Sequence, residues 1–126
     1  MNPIVVVAAV IEREGSFLLT LRPRGTHLAG YWEFPGGKVH ESETHPEALR
    51  REIFEELDAV ARVGDLVHTV THAYPEKTVQ LFFYACDLDG EAKPMMGQEM
   101  RWVAKAALSS LPFPEADRDL ITLLTR

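Results

Sequence analysis

Apolar residues alternate between short runs typical of strands and one longer segment with helical spacing. The short runs, rich in β-branched and aromatic residues, predict five strands, at Val5–Glu12, Phe17–Arg22, Asp65–Ala73, Thr78–Leu88 and Met100–Ala104. Helical spacing predicts helices over Thr44–Leu57 and from Pro114 to Thr125, whereas the glycines and prolines of Pro23–Glu41 predict a loop. This element order predicts the α/β class, an α/β/α sandwich with a mixed β-sheet.

Composition and charge narrow the classes of partner. At 126 residues the chain is expected to form a single domain, 1–126. Its net charge of −6 disfavours binding to nucleic acid polymers or anionic membranes. The lone Cys86 excludes an internal disulfide and a cysteine-rich zinc site. The apolar run Ile4–Ile11 is too short to span a bilayer and lacks the basic flank of a signal peptide, so we expect a cytoplasmic protein.

The central helix separates acidic from apolar residues. At about 100° per residue, three carboxylates share one face: Glu52, Glu55 and Glu56. The opposite face is predicted to enter the core through Leu49, Ile53, Phe54 and Leu57. On composition alone, a solvated helix surface is the favoured interpretation of this acidic face over a functional site.

Two neighbouring features favour a metal site on this acidic face. Glu43 precedes Arg51 by eight residues, a spacing at which the two side chains can pair and hold the carboxylates in position. Gly36-Gly37-Lys38 provides a backbone that can approach a ligand and expose its carbonyls. An all-oxygen ligand set suits Mg²⁺ or Mn²⁺ and fits zinc poorly.

The same residues carry a family resemblance. The segment Gly37-x5-Glu43-x7-Arg51-Glu52-Ile53-x-Glu55-Glu56-x-Asp58-Ala59 resembles the Nudix box, G-x5-E-x7-R-E-U-x-E-E-x-G-U, where U is a bulky apolar residue. The departure is Asp58 in place of the final glycine, and aspartate tolerates the left-handed conformation that ends such a helix better than most residues do. Further segments resemble the MutT-type branch of this family: Leu21-Arg22-Pro23, Tyr31 to Lys38, Met100 to Val103, and Leu111 to Asp117.

The resemblance implies a Nudix-like α/β/α sandwich that hydrolyses a nucleoside triphosphate to the monophosphate and pyrophosphate. It implies Mg²⁺ as cofactor, with Mn²⁺ as a possible substitute, held by the Gly36 carbonyl and by Glu52, Glu55 and Glu56. Arg51 and Glu43 belong to the implied catalytic machinery. Glu52 is the first candidate for general base, and Glu99 is a reserve candidate.

The resemblance also implies substrate contacts. Arg22 and Lys38 are candidate phosphate ligands, and Phe34, Asp117 and His27 are candidate nucleobase contacts. Phe34 has the alternative role of a core aromatic, and Asp117 that of a helix cap. An ionised Asp117 only accepts hydrogen bonds, which suits the N7–H of an 8-oxopurine or the amine of cytosine but opposes the O6 of guanine.

The leading substrate candidate is therefore 8-oxo-dGTP, in a nucleotide-pool sanitising role linked to DNA repair. CTP or a modified dCTP is the alternative, followed by a catalytically silent nucleotide-binding module. Because all three box carboxylates are present, the silent module is disfavoured. The oligomeric state stays open.

Overall fold

A computed structural model describes residues 2–26 and 28–126 and gives the bounds of each element. The strands are β1 (Ile4–Arg13), β2 (Ser16–Leu21), β3 (Trp32–Glu33), β4 (Gly36–Lys38), β5 (Val60–Ala73), β6 (Thr78–Asp89) and β7 (Met100–Ala104). The α-helices are α1 (His45–Leu57) and α2 (Arg118–Leu124). Two 3-10 helices cover Lys105–Ser110 and Glu115–Asp117.

The segment predicted as a loop, Pro23–Glu41, contains two short strands, and that part of the prediction was wrong. β4 pairs antiparallel with β1, so that Gly36 lies opposite Ala8. A Cβ on Gly36 would come within 2.0 Å of the Val7 carbonyl oxygen, which explains why the pairing needs glycine. The glycines that suggest a loop are required here by close strand contact.

β1 is central to the mixed sheet and joins its two halves. It runs parallel to β6 along most of its length, and β6 pairs antiparallel with the long β5. The far end of β1 pairs with β2, which also pairs with β3 and β7. The predicted β5–β6 hairpin is confirmed, with β5 beginning five residues earlier than predicted.

Helices cover both faces of the sheet and form two cores, which gives the predicted α/β/α sandwich. On one face α1 packs against β1 and β5, and its residues Ala48, Leu49, Ile53 and Leu57 are buried. On the other face α2 buries Leu120 and Ile121 against residues of β1, β2 and β6. The prediction that Phe54 enters the core was wrong, because Phe54 lies at the solvent edge of the apolar stripe and is 59% exposed.

Both ends of α1 are fixed by local hydrogen bonds. The Thr44 side chain accepts from the Glu47 N–H while the Glu47 side chain accepts from the Thr44 N–H, a reciprocal capping box. At the other end Asp58 adopts φ 51° and ψ 40°, and its N–H donates to the Phe54 carbonyl. The expectation that aspartate takes the left-handed position is confirmed.

Within residues 2–26 and 28–126, no helix combines the length and apolar character needed to cross a bilayer.

Candidate active site

One cavity of about 390 Å³ lies between α1, β1, β4 and the turn that joins β5 to β6. Its volume falls within the range of about 300–1,000 Å³ typical of ligand pockets. The structure brings seven of the residues predicted for the site into its lining: Arg22, Phe34, Gly36, Lys38, Glu52, Glu56 and Asp117. Segments far apart in sequence therefore meet at one cavity.

Arg51 organises the acidic face of α1 from beside the cavity. Its Nε and Nη2 donate to the two carboxylate oxygens of Glu43 at 2.7 and 3.0 Å, which confirms the predicted pair. Its Nη1 donates to Glu52 at 2.9 Å and to Glu55 at 3.1 Å, and Nη2 also reaches the Lys38 carbonyl at 3.0 Å. These hydrogen bonds lower the pKa of Glu43 to about 2 and raise that of Arg51. The guanidinium thus ties the helix to the loop before it.

Two carboxyl groups meet where α1 faces β4. The Glu52 and Glu56 side chains share a hydrogen bond, and the Gly36 N–H donates to Glu56. Burial raises the pKa of Glu56 to about 8, with further contributions from the charges of Glu33 and Glu52. A Cβ on Gly37 would come within 2.4 Å of the Glu52 carboxyl carbon, so that carboxyl lies directly against the glycine backbone.

The donor set at this position fits a hard divalent cation. The oxygens of Glu52 and Glu56 adjoin the Gly36 backbone, and Glu55 lies one helical turn from Arg51. Within the described residues, no group of three or more acidic, histidine or cysteine side chains is already arranged around a common point. Arg51 Nη1 donates to both Glu52 and Glu55, so these two carboxylates are held beside the guanidinium.

Glu99, the reserve candidate for general base, lies away from the cavity. Its carboxylate accepts from Arg101 at 2.8 Å, and the Arg101 guanidinium lies 5.0 Å from the centre of the Trp32 ring. Glu99 is absent from the described cavity lining, whereas Glu52 is part of it. The structure therefore favours Glu52 on position.

The two candidate phosphate ligands both line the cavity but differ in their surroundings. The Arg22 Nη1 donates to Glu33 at 2.7 Å, and the two side chains are equally exposed. Lys38 has an exposed side chain and a backbone carbonyl that Arg51 holds. Arg22 is thus part of an ion pair within the cavity. Lys38 lies at the margin of the cavity, beside the acidic face of α1.

Phe34 lines the cavity with a ring that belongs to the core. It is 4% exposed, stacks on Phe113 at 5.8 Å and contacts Phe83 edge to face at 6.0 Å. A ring that is 4% exposed has little surface left for a nucleobase to stack on. His27, the third candidate base contact, lies outside the described residues.

Asp117 is buried in the cavity wall at 6% exposure. Its side chain makes no capping hydrogen bond to α2, so the alternative role of helix cap was wrong. Burial raises the pKa of Asp117 to about 7, and the charge of Glu33 contributes to the shift in the same direction. A carboxyl group in this state exists in both protonated and ionised forms near neutral pH.

Three further residues of the cavity wall were missed by sequence reasoning: Glu33, Tyr74 and Lys77. Glu33 directly precedes the Phe34 candidate, and its place at the cavity depends on the pairing of β3 with β2, which brings it beside Arg22. Tyr74 and Lys77 are the two ends of the β5–β6 turn, where the Tyr74 N–H donates to the Lys77 carbonyl at 2.8 Å. The turn was predicted, but its position over this cavity depends on the parallel pairing of β1 and β6.

The family match and the named relatives that follow indicate a hydrolase of phosphoric anhydride bonds that acts on a small-molecule nucleotide, a class with which the acidic cavity is consistent. A family model described as the NUDIX domain matches residues 6–123, and the chain belongs to that family. Hydrolases of this family generally need a divalent metal ion.

Individual relatives match over nearly the whole chain. An 8-oxo-dGTP diphosphatase of Haemophilus influenzae is 41% identical over 120 residues, covering 94% of this chain and 88% of the relative. A CTP pyrophosphohydrolase of Escherichia coli is 36% identical over 122 residues, covering 96% and 90%. The crystal structure of a MutT NUDIX hydrolase from Burkholderia pseudomallei superposes with a TM-score of 0.85 at 31% identity, covering 97% of this chain and 98% of that one.

Proposed function

We propose that residues 1–126 act as a single cytoplasmic Nudix hydrolase domain that converts 8-oxo-dGTP to the monophosphate and pyrophosphate with Mg²⁺ as cofactor. The observation that carries this proposal is the composition of one cavity. Glu52 and Glu56 of α1, the basic residues Arg22 and Lys38, and the buried Asp117 all line it. The name of the Haemophilus influenzae relative supports the choice of substrate.

Glu52, Glu55, Glu56 and the Gly36 carbonyl would hold the metal ion. When bound, the ion neutralises phosphate charge and lowers the pKa of the attacking water; Mn²⁺ would fill the same role. Arg51 keeps Glu52 in position through its 2.9 Å hydrogen bond and anchors itself on Glu43. Lys38 and Arg22 bind phosphate oxygens of the substrate.

The proposed reaction is a single displacement at the β-phosphorus. The water oxygen forms a bond to the β-phosphorus. The bond between the β-phosphorus and the oxygen that bridges the α- and β-phosphates breaks. The bridging oxygen leaves on the nucleoside monophosphate, and the other two phosphates leave as pyrophosphate. A carboxylate oxygen of Glu52 accepts the proton of the water, because Glu52 lines the cavity and Glu99 does not.

Asp117 would read the edge of the base together with the backbone around Phe34. In its protonated form Asp117 donates to the O6 of guanine, and in its ionised form it accepts from the N7–H of an 8-oxopurine. Because the pKa of Asp117 is about 7, both forms are present near neutral pH. The protonated form avoids the repulsion that an ionised carboxylate would have with the O6 of guanine.

CTP or a modified dCTP is the second candidate substrate. An ionised Asp117 accepts from the exocyclic amine of cytosine, and the Escherichia coli relative is named a CTP pyrophosphohydrolase. The two protonation forms of Asp117 are therefore compatible with both guanine and cytosine. Comparing kcat/KM on the corresponding nucleotides distinguishes the two substrates.

A substrate screen tests the proposal. We expect 8-oxo-dGTP to give the highest kcat/KM among 8-oxo-dGTP, dGTP, dCTP and CTP with Mg²⁺, and pyrophosphate to appear in equal amount to the monophosphate. Glu52→Gln should lower kcat far more than Glu99→Gln. Absence of turnover on every nucleotide would contradict the proposed function, and a higher kcat/KM on CTP or dCTP would reassign the substrate.

A further inference from the structure

The last turn of α1 is held by a distant part of the chain. The carbonyl groups at the C-terminal end of an α-helix have no N–H partner within the helix itself. In α1 the carbonyls of Glu56 and Leu57 accept instead from residues 93–98, which lie between β6 and β7. We call residues 93–98 the strap. The end of the helix that carries Glu56 is therefore fixed by a segment about forty residues further along the sequence.

The strap supplies three donors to α1. The Lys93 N–H donates to the Leu57 carbonyl at 2.8 Å, and the Met95 N–H donates to the Glu56 carbonyl at 2.9 Å. The third donor is a side chain, because the Nε2 of Gln98 donates to the same Glu56 carbonyl at 3.1 Å. A substitution at Gln98 can therefore remove one of these hydrogen bonds and leave both backbone donors in place.

Both ends of the Gln98 amide are bonded. Its Oε1 accepts from the Met96 N–H at 2.8 Å, while its Nε2 donates to the Glu56 carbonyl. Since a backbone N–H only donates and a carbonyl only accepts, these two partners require an amide in this orientation. Gly97 lies between Met96 and Gln98 at φ 71°, a left-handed conformation that favours glycine. The amide thus links the turn of the strap to the end of α1.

Glu56 is the candidate metal ligand nearest the end of α1. Its carboxyl group lines the cavity, accepts from the Gly36 N–H and shares a hydrogen bond with Glu52. Glu56 is also the penultimate residue of the helix, and helix ends fray. Two hydrogen bonds to the Glu56 carbonyl oppose fraying at this residue, so they keep its carboxyl group in place against Gly36.

We propose that Gln98 is a positioning residue for metal binding. Its amide holds the main chain of Glu56 and, through it, the Glu56 carboxyl group in the cavity. This inference rests on the proposed function, in which Glu56 is one of the metal ligands. Loss of the amide should therefore weaken metal binding, whereas an equal loosening of α1 elsewhere should not.

The test measures the Mn²⁺ dissociation constant of the nucleotide-free protein from the electron paramagnetic resonance signal of the free ion. Gln98→Leu removes both hydrogen bonds of the amide, and Gln98→Asn keeps the amide but shortens its reach by one methylene. Met96→Leu is the matched control in the strap, because that side chain is 71% exposed and its backbone N–H remains.

Thr44→Ala is the second control, because it removes the N-cap of α1 and so loosens the helix at the end away from the strap. The Mg²⁺ concentration that gives half-maximal turnover of 8-oxo-dGTP, the kcat at saturating Mg²⁺ and the Tm are measured for all five proteins.

For Gln98→Leu and Gln98→Asn we expect the Mn²⁺ dissociation constant and the Mg²⁺ requirement to rise about tenfold, as for the loss of other residues that orient metal ligands. The kcat at saturating Mg²⁺ should stay close to that of the wild type. Met96→Leu and Thr44→Ala should keep the wild-type dissociation constant, even though Thr44→Ala lowers the Tm.

A wild-type Mn²⁺ dissociation constant in both Gln98 variants, or an equal rise in Thr44→Ala, would overturn the inference and leave the proposed function intact. A wild-type protein that binds Mn²⁺ but hydrolyses no nucleotide would instead contradict the proposed function.

Discussion

Replacement of Asp117 by asparagine tests whether the buried carboxyl group is protonated in the folded protein. The asparagine side chain has nearly the same shape as aspartate but no ionisable proton. The ordinary aspartate pKa is 3.8, and in the folded protein the pKa of Asp117 is about 7. A raised pKa in a carboxyl group means that the folded state holds the proton more tightly than the unfolded state does.

The sign and size of the effect follow from proton linkage. Below about pH 4 both states are protonated, and the group has no effect on the pH dependence of folding. Between about pH 4 and 7 only the unfolded state loses the proton, so the free energy of unfolding falls by about 1.4 kcal/mol per pH unit. Above about pH 7 both states are ionised, and the total loss reaches about 4 kcal/mol.

The assay is urea denaturation of the wild type and of Asp117→Asn at pH 5, 6, 7 and 8. Comparing the two proteins largely cancels the titration of every group that they share. We expect the wild type to lose about 2 to 3 kcal/mol relative to the variant between pH 5 and 7, and then to level off. Asp119→Asn, a change at an exposed site on α2, is the control and should differ little from the wild type at any pH.

Enzyme kinetics report on the same proton. As the pH rises from 6 to 8, the wild type should lose kcat/KM on dGTP relative to dCTP, because ionised Asp117 repels the O6 of guanine and accepts from the amine of cytosine. An asparagine at this position offers both a donor and an acceptor at every pH. The ratio of the two kcat/KM values in the Asp117→Asn variant should therefore not change with pH. A stability difference that does not change with pH would refute the assignment of a buried, protonated carboxyl group.

Four further substitutions test the structure of α1 and the pairing of β4 with β1. Thr44→Ala removes the N-cap and should lower the free energy of unfolding by about 1 kcal/mol in urea denaturation, and no loss would contradict the capping box. Ile53→Ala should cost about 2–5 kcal/mol, whereas Phe54→Ala should stay within about 0.5 kcal/mol; equal losses would place Phe54 back in the core. Gly36→Ala places a Cβ 2.0 Å from the Val7 oxygen and should sharply lower the Tm, and an unchanged Tm would contradict the close pairing of β1 and β4.

Local patterns predicted the elements that depend on local chemistry. The β7 prediction, Met100–Ala104, is confirmed to the residue, and α1 is confirmed with Thr44 as its cap. The pairing of Glu43 with Arg51 was predictable because Glu43 lies just before α1 and Arg51 within it, so two complementary charges are only eight residues apart.

Features that depend on tertiary contacts escaped prediction. Phe54 has the apolar character of its helical neighbours, but it lies at the edge of the apolar stripe of α1 and is 59% exposed. β4 has no side-chain pattern, since its pairing rests on backbone contact between Gly36 and β1. Tyr74 and Glu33 became visible as site residues only once the sheet topology brought them to the cavity.

The most direct test of the central claim is the rate of 8-oxo-dGTP hydrolysis as Mg²⁺ is restored to protein stripped with EDTA. The account predicts no turnover in excess EDTA, recovery of wild-type turnover with added Mg²⁺, and a much higher Mg²⁺ requirement in Glu56→Gln than in the control Glu41→Gln. Turnover in excess EDTA, or a Glu56→Gln enzyme with the wild-type Mg²⁺ requirement, would contradict it.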